Sequence, residues 1–139
     1  MRFIDASVFL YAILKPRRGV TQDILELKDS AKKILLRIEE GEEVATTVVH
    51  LSEVANILES HASKTMSIEY VKTILGKPSI HVYDASVADY GEAILKAEEY
   101  MIGVNDALAL VYMEKLGLRE IYSFDSDFDK IKWVKRVTR

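Results

Sequence analysis

The sequence predicts an α/β fold with three layers, α/β/α, around a mainly parallel central sheet of four to five strands. Two observations carry this prediction. Short apolar strands alternate with amphipathic helices from one end of the chain to the other. No repeat, low-complexity stretch or linker divides the pattern, so the 139 residues are expected to form one domain, 1–139. Functional side chains of such a domain should lie where the parallel strands end.

The predicted strands are short apolar segments with turn residues on either side. In chain order they are 3–4, 43–47, 80–83, 120–124 and, as a last edge strand, 131–137. Helices separate the first four of these segments. Strands that are joined through helices run parallel, because each connection crosses back over the sheet.

The predicted helices carry apolar side chains at three- and four-residue spacing, and most start at a residue that can cap the first turn. In chain order they begin at Ser7, at Thr21 or Asp23, at Thr47, at Ser67, at Ser86, and at Asn105 or Asp106. The first is expected to end at Leu14, before a breaker-rich loop. Glycine is expected to end four others, at Gly41, Gly76, Gly103 and Gly117.

Composition excludes several classes of protein. The absence of cysteine excludes disulfides, thiolate metal sites and cysteine nucleophiles, and it fits a cytoplasmic location. No apolar run approaches the ~18 to 20 residues of a membrane span, so no membrane association is expected. The net charge of −3 does not by itself indicate nucleic-acid binding. If four acids hold metal, however, the rest of the chain is slightly basic.

Four acids lie in or beside apolar segments that are far apart along the chain: Asp5, Glu53, Asp106 and Asp125, with Asp127 beside the last. Each has an ordinary alternative role. Asp5 can cap a helix, and Asp106 in the first turn of a helix can interact favourably with the helix dipole. Asp125 can form a turn, and Glu53 can lie at the edge of a buried helical face. Carboxylates that converge cannot all stay ionised without a partner, and a hard divalent cation suits oxygen ligands. The pattern therefore predicts metal-dependent chemistry on a phosphate ester.

Other catalytic signatures are missing from the sequence. His50, His61 and His81 lack the spacing of a zinc site and are better interpreted as core or surface residues. There is no glycine-rich phosphate loop and no Gly-x-Ser-x-Gly motif. A receiver domain needs paired acids after its first strand, and an aspartyl phosphatase needs a second Asp where this chain has Ser7. Both classes are therefore disfavoured.

The ordered set of four motifs resembles the PIN-domain nucleases and, within them, the VapC toxins of toxin–antitoxin pairs. The motifs are Phe-Ile-Asp-Ala-Ser-Val at 3–8, Leu-Ser-Glu-Val-Ala at 51–55, Val-Asn-Asp-Ala-Leu-Ala at 104–109 and Ser-Phe-Asp-Ser-Asp-Phe at 123–128. Each motif alone is loose, but together they span nearly the whole chain in the family order. The resemblance implies a PIN-like fold and a ribonuclease that depends on Mg²⁺ or Mn²⁺.

The resemblance also implies roles for individual residues. Asp5, Glu53, Asp106 and Asp125 match the acidic quartet of the family, with Asp127 as an additional metal ligand. Ser7 and Ser123 match small hydroxyl positions that would orient carboxylates or waters. Lys15, Arg17 and Arg18 are expected to meet RNA phosphates at the mouth of the site.

The partners that the family implies are an RNA substrate, a second copy of the chain in a homodimer, and a cognate VapB-type antitoxin that blocks the acids. A PIN-like module that only binds RNA or protein, with weak or no nuclease activity, is the alternative. The presence of all four acids argues against it.

Overall fold

The structure is a computed structural model that describes residues 1–15 and 19–139. The described residues contain six α-helices, a short 3₁₀ helix and five strands. The strands are β1 (Arg2–Ile4), β2 (Val44–Thr47), β3 (Ile80–Tyr83), β4 (Glu120–Tyr122) and β5 (Lys135–Val137). The helices are α1 (Ala6–Ile13), α2 (Gln22–Glu39), α3 (Val48–His61), α4 (Lys64–Gly76), α5 (Val87–Tyr100) and α6 (Val104–Leu116), and the 3₁₀ helix covers Ser126–Lys130.

All five strands belong to one parallel sheet in the order β3-β2-β1-β4-β5. The central strand, β1, lies between β2 and β4, and its Phe3 is opposite Ala45 on one side and Ile121 on the other. The chain therefore builds outward from β1 to one edge and then returns to add β4 and β5 on the other side. The gap between the ends of β1 and β4 is the switch point where open parallel sheets place their ligands.

Alternate residues of the strands enter two separate cores, one on each face of the sheet. Ile4 and Tyr122 face the core that helices α1 to α4 cover. Phe3 and Ile121 face the opposite core, which α5 and α6 cover together with Phe128 from the 3₁₀ helix. The three-layer α/β/α arrangement and the parallel sheet predicted from the sequence are confirmed.

The starts of α1 and α4 differ from those predicted from the sequence. Asp5 caps α1, because its side chain accepts the first amide of the helix, and Ser7 lies inside that helix. Helix α4 begins one turn early, because Ser63 accepts a hydrogen bond from an amide in its first turn. Ser67 is buried within α4 and donates a hydrogen bond to the carbonyl of Ala55 on α3. In both cases the hydroxyl of the predicted serine donates elsewhere, from Ser7 to Asp5 and from Ser67 to Ala55.

The end of α5 also differs from the prediction. Met101, rather than Gly103, ends α5 in the left-handed conformation. Gly103 instead caps α6, so that helix begins at Val104 and not at Asn105 or Asp106. The edge strand β5 is shorter than expected, because residues 131–134 turn before it begins. Among the helices of the described ranges, none has both the length and the apolar character needed to cross a lipid bilayer.

Candidate functional site

The centre of the candidate site is Asp5, which follows β1 directly and is 5% exposed. Its Oδ1 accepts the backbone amide of Ala6 at 2.9 Å. Its Oδ2 accepts the hydroxyls of Ser7 at 3.1 Å and Ser123 at 2.8 Å. The two serines that the sequence singles out thus both contact this carboxylate. Hydrogen bonds to both oxygens fix the position of the charge in a buried place.

Three further acids meet on the α6 side of Asp5. Carboxylate oxygens of Asp106, Asp125 and Asp127 lie within 4.8 Å of one another. Asp106 stands in the first turn of α6, and Asp125 caps the 3₁₀ helix that follows β4. The Asp125 side chain accepts the amide of Asp127 at 2.9 Å, which ties the last two acids into one turn. Asp125 therefore both shapes its loop and presents a free oxygen to Asp106.

Glu53 completes the acidic surface from α3. It lies half-buried on that helix and accepts a hydrogen bond from Nδ2 of Asn105 at 2.5 Å. Glu53 and Asp5 lie outside the tighter group of three acids. Both lie near enough for their charges to act on Asp106. Acids from four separate segments of the chain thus surround one small region at the carboxyl edge of the sheet.

Electrostatics in this region favour a bound cation. Burial, and then the negative charges of Asp5 and Asp125, raise the pKa of Asp106 to about 8. Burial also raises the pKa of Glu53, although the hydrogen bond from Asn105 opposes this effect. Asp106 therefore retains its proton to a higher pH than an ordinary aspartate when no cation is present. All available donors are oxygen atoms, so the side chains fit a hard divalent cation such as Mg²⁺ or Mn²⁺.

Of the three predicted RNA-contacting residues, the structure describes only Lys15. Arg17 and Arg18 lie outside the described residues. Lys15 is exposed after α1, beside cavities to which none of the site acids in the described chain contributes. The structure brings a different base to the acids: Nζ of Lys130 lies 3.3 Å from a carboxylate oxygen of Asp127.

Sequence reasoning missed the residues that fix the position of α6. His50 is 1% exposed, and its Nε2 lies 3.0 Å from the backbone oxygen of Asn105. Tyr90 of α5 donates its hydroxyl to Oδ1 of the same asparagine at 2.7 Å. The histidine is thus a core residue, as predicted, but its polar contact reaches the segment that carries Asp106. The only signal in the sequence is that Asn105 directly precedes an acid of the third motif.

The sequence model of the PIN domain family matches residues 2–134. That match covers almost the whole chain, and the chain belongs to the PIN domain family. The family predicted from the four motifs is therefore confirmed. A comparison with curated protein sequences gave no significant match.

Solved structures with a similar fold include toxins of the VapC type. The toxin VapC20 of Mycobacterium tuberculosis, which cleaves the sarcin–ricin loop, has a TM-score of 0.70 and 18% identity over 93% of each chain. VapBC2 of Rickettsia felis, bound to a DNA fragment from its promoter, gives 0.67 and 17% identity over 98% of this chain and 96% of that chain. A toxin–antitoxin complex from Klebsiella pneumoniae gives 0.64 and 16% identity over 97% of this chain and 96% of that chain.

Proposed function

We propose that this chain is a divalent-metal-dependent ribonuclease and the toxin of a type II toxin–antitoxin pair. The single observation that carries the proposal is the convergence of Asp5, Asp106 and Asp125 at the switch point of the sheet, where the acids raise the pKa of Asp106. Such an arrangement costs folding free energy unless a cation neutralises it. Membership of the PIN family and the likeness to VapC structures support this function.

The metal would be Mg²⁺ or Mn²⁺. The carboxylates that would hold it are those of the acid cluster: Asp5, Glu53, Asp106, Asp125 and Asp127. When bound, such an ion lowers the pKa of water and stabilises negative charge on a phosphodiester. Ser7 and Ser123 keep the Asp5 carboxylate in place through its Oδ2.

RNA is the proposed substrate, and bases at the rim would contact its phosphates. Lys15, with Arg17 and Arg18, remains the predicted contact surface. Lys130 is an additional cation beside Asp127, at 3.3 Å. Lysine at such a position meets a phosphate as a point charge and adds affinity without reading sequence.

Cleavage of a mixed single-stranded RNA tests the proposed activity. Purified protein is assayed with Mn²⁺, with Mg²⁺ and with EDTA, next to variants Asp5→Asn and Asp106→Asn. Asp84→Asn is the matched control, because Asp84 is an exposed acid at the same sheet edge but outside the cluster. We expect cleavage that needs metal, is lost in the first two variants and persists in the control. Cleavage at the wild-type rate by Asp5→Asn with Mn²⁺ would contradict the assignment. Binding of RNA without any cleavage would favour a PIN-like binding module instead.

The proposed partners are a second copy of the chain and a VapB-type antitoxin. The Rickettsia felis structure contains both VapB and VapC components, which supports the antitoxin. Light scattering after gel filtration should give a dimer mass, and a monomer at micromolar concentration would contradict the homodimer. Co-expression with the neighbouring reading frame should yield a complex in which RNA cleavage is suppressed.

A further inference from the structure

Asn105 joins three helices at the edge of the acid cluster. Its Nδ2 donates to Oε1 of Glu53 on α3 at 2.5 Å. Its Oδ1 accepts the hydroxyl of Tyr90 on α5 at 2.7 Å. Its backbone oxygen, in the first turn of α6, lies 3.0 Å from Nε2 of His50. Both polar atoms of the Asn105 side chain therefore have a partner, and these partners lie on α3 and α5 rather than on α6.

The Glu53 carboxylate determines which way the Asn105 amide faces, because an ionised carboxylate only accepts hydrogen bonds, and the Tyr90 hydroxyl completes the arrangement. The amide oxygen accepts hydrogen bonds and cannot donate them, so Tyr90 must be the donor. This orientation directs the NH₂ group to the Glu53 carboxylate. The reversed amide would place an oxygen against that carboxylate, which is electrostatically unfavourable. Tyr90 holds the amide in this orientation and is linked to Glu53 through Asn105.

His50 fixes the backbone of the same residue. Its Nδ1 lies 2.7 Å from the Thr47 hydroxyl, which already accepts the amide of His50. The Asn105 carbonyl can only accept a hydrogen bond, so Nε2 carries the ring proton and donates it, and Nδ1 of the neutral ring accepts the Thr47 hydroxyl. Because His50 is fully buried and packs its ring against Phe3, this anchor is rigid. Asn105 consequently holds one position relative to Glu53 and to its neighbour Asp106.

We propose that Asn105 and Tyr90 are positioning residues that set the Glu53 carboxylate and so determine how tightly the acid site binds its cation. The inference rests on the proposed function, because it assumes that Glu53 meets a metal. Glu53 is half exposed on α3. A hydrogen bond on Oε1 restricts the rotamers of this side chain, and Oε2 would be the oxygen left to meet a cation. Partners that orient metal ligands in this way commonly change metal affinity by about 10- to 100-fold when removed.

Calorimetric titration with Mn²⁺ tests the inference without measuring cleavage. The variants are Asn105→Ala and Tyr90→Phe, and Tyr100→Phe is the matched control from the same helix. Within the described chain, the Tyr100 hydroxyl has no hydrogen-bond partner. We expect Asn105→Ala to weaken Mn²⁺ binding by about tenfold and Tyr90→Phe by a smaller factor. The control should bind as the wild type does. Thermal unfolding in EDTA checks that each variant is folded.

A double-mutant cycle separates positioning from a general structural effect. In a Glu53→Gln background, Tyr90→Phe should cause no further loss of Mn²⁺ affinity, because the group that it orients no longer carries charge. Equal losses with and without Glu53→Gln would overturn the inference. So would wild-type affinity in both Asn105→Ala and Tyr90→Phe, and that result would leave the proposed function standing. A wild-type protein that binds no Mn²⁺ would instead overturn the proposed function and the inference together.

Discussion

The hydroxyl of Ser123 donates a hydrogen bond of 2.8 Å to Oδ2 of Asp5, joining residues that are 118 positions apart in the chain. The same hydroxyl accepts the amide of Asp125 at 3.0 Å. One fully buried serine therefore links the first acid of the site to the loop that carries the last. It does so across the gap between β1 and β4.

Ser123→Ala should destabilise the protein and weaken RNA cleavage together. The change leaves the Asp125 amide without its acceptor and removes one of the two hydroxyls on Oδ2 of Asp5. Loss of a buried hydrogen bond to a charged group predicts a decrease of about 1.5–3 kcal/mol in the free energy of unfolding. Urea denaturation measures it. Ser126→Ala, an exposed serine three residues on, is the control and should change little. Equal unfolding midpoints for the two variants would contradict the role of Ser123.

The metal-free protein should lose stability as the pH rises from about 4 to 8. Burial and the charges of Asp5 and Asp125 raise the pKa of Asp106 to about 8 in the folded state. An unfolded aspartate titrates near 3.9. Between these values the folded state holds the extra proton, so raising the pH favours unfolding. Urea denaturation in EDTA across this range should show the decline.

Asp106→Asn isolates the contribution of this carboxyl to the pH profile. The variant cannot titrate at this position, so its stability should vary less between pH 5 and 8. Mn²⁺ should also bind the wild type more tightly as the pH approaches 8, because binding must displace the proton. Identical pH profiles for the variant and the wild type would refute the assignment.

Lys28 should stabilise the end of α1. Its Nζ donates to the backbone oxygens of Tyr11, Ala12 and Leu14 at 3.2, 3.1 and 2.6 Å. A cation at the C-terminal end of a helix donates to carbonyls that lack partners, and it interacts favourably with the negative end of the helix dipole. Lys28→Met keeps most of the apolar stem and should lower the free energy of unfolding by about 1–2 kcal/mol.

Lys32→Met is the matched control for this change. Lys32 is exposed one turn further along α2, and its charge helps to lower the pKa of Lys28. Its replacement removes a like charge and should leave stability unchanged or slightly raised. Chemical denaturation measures the free energy of unfolding of both variants. An equal loss of stability in Lys28→Met and Lys32→Met would show that the carbonyl contacts are unimportant.

Met101→Gly should stabilise the protein. Within the described residues, Met101 alone among non-glycine residues has a positive φ, of 53°, and its side chain is 77% exposed. A left-handed conformation costs a residue with a Cβ about 1–2 kcal/mol, whereas glycine adopts it freely. The greater freedom of glycine in the unfolded chain reduces the gain to roughly 0.5–1 kcal/mol. Thermal unfolding should show a higher midpoint. Met101→Ala keeps the Cβ and should show no increase.

The sequence was sufficient to predict the sheet and the edge at which the acids meet. The bounds of β3 were predicted correctly, because the short segment between Pro78 and Asp84 has room for a strand in only one place. Helix starts were harder, since any serine ahead of an apolar run can cap. Ser63 rather than Ser67 does so in α4, and only the path of the chain around it decides between them.

The supporting contacts of the site could not be predicted in the same way. Tyr90 and Asn105 lie on different helices, and their hydrogen bond depends on how α5 packs against α6. Helical periodicity gives the face on which a side chain lies but not the atom that it meets. The buried position of His50 was harder still to predict, because no sequence pattern distinguishes a buried histidine from a surface one.

The position of β1 between β2 and β4 has a consequence for when the acid cluster can form during synthesis of the chain. Asp5 is synthesised well before Asp106 and Asp125, which follow only with α6 and β4. A nascent chain that lacks these segments has an open central strand and an incomplete set of acids. Contacts between distant parts of a chain form late and slowly. The complete acid cluster therefore forms only after β4 and the loop that follows it have been synthesised and have folded against β1.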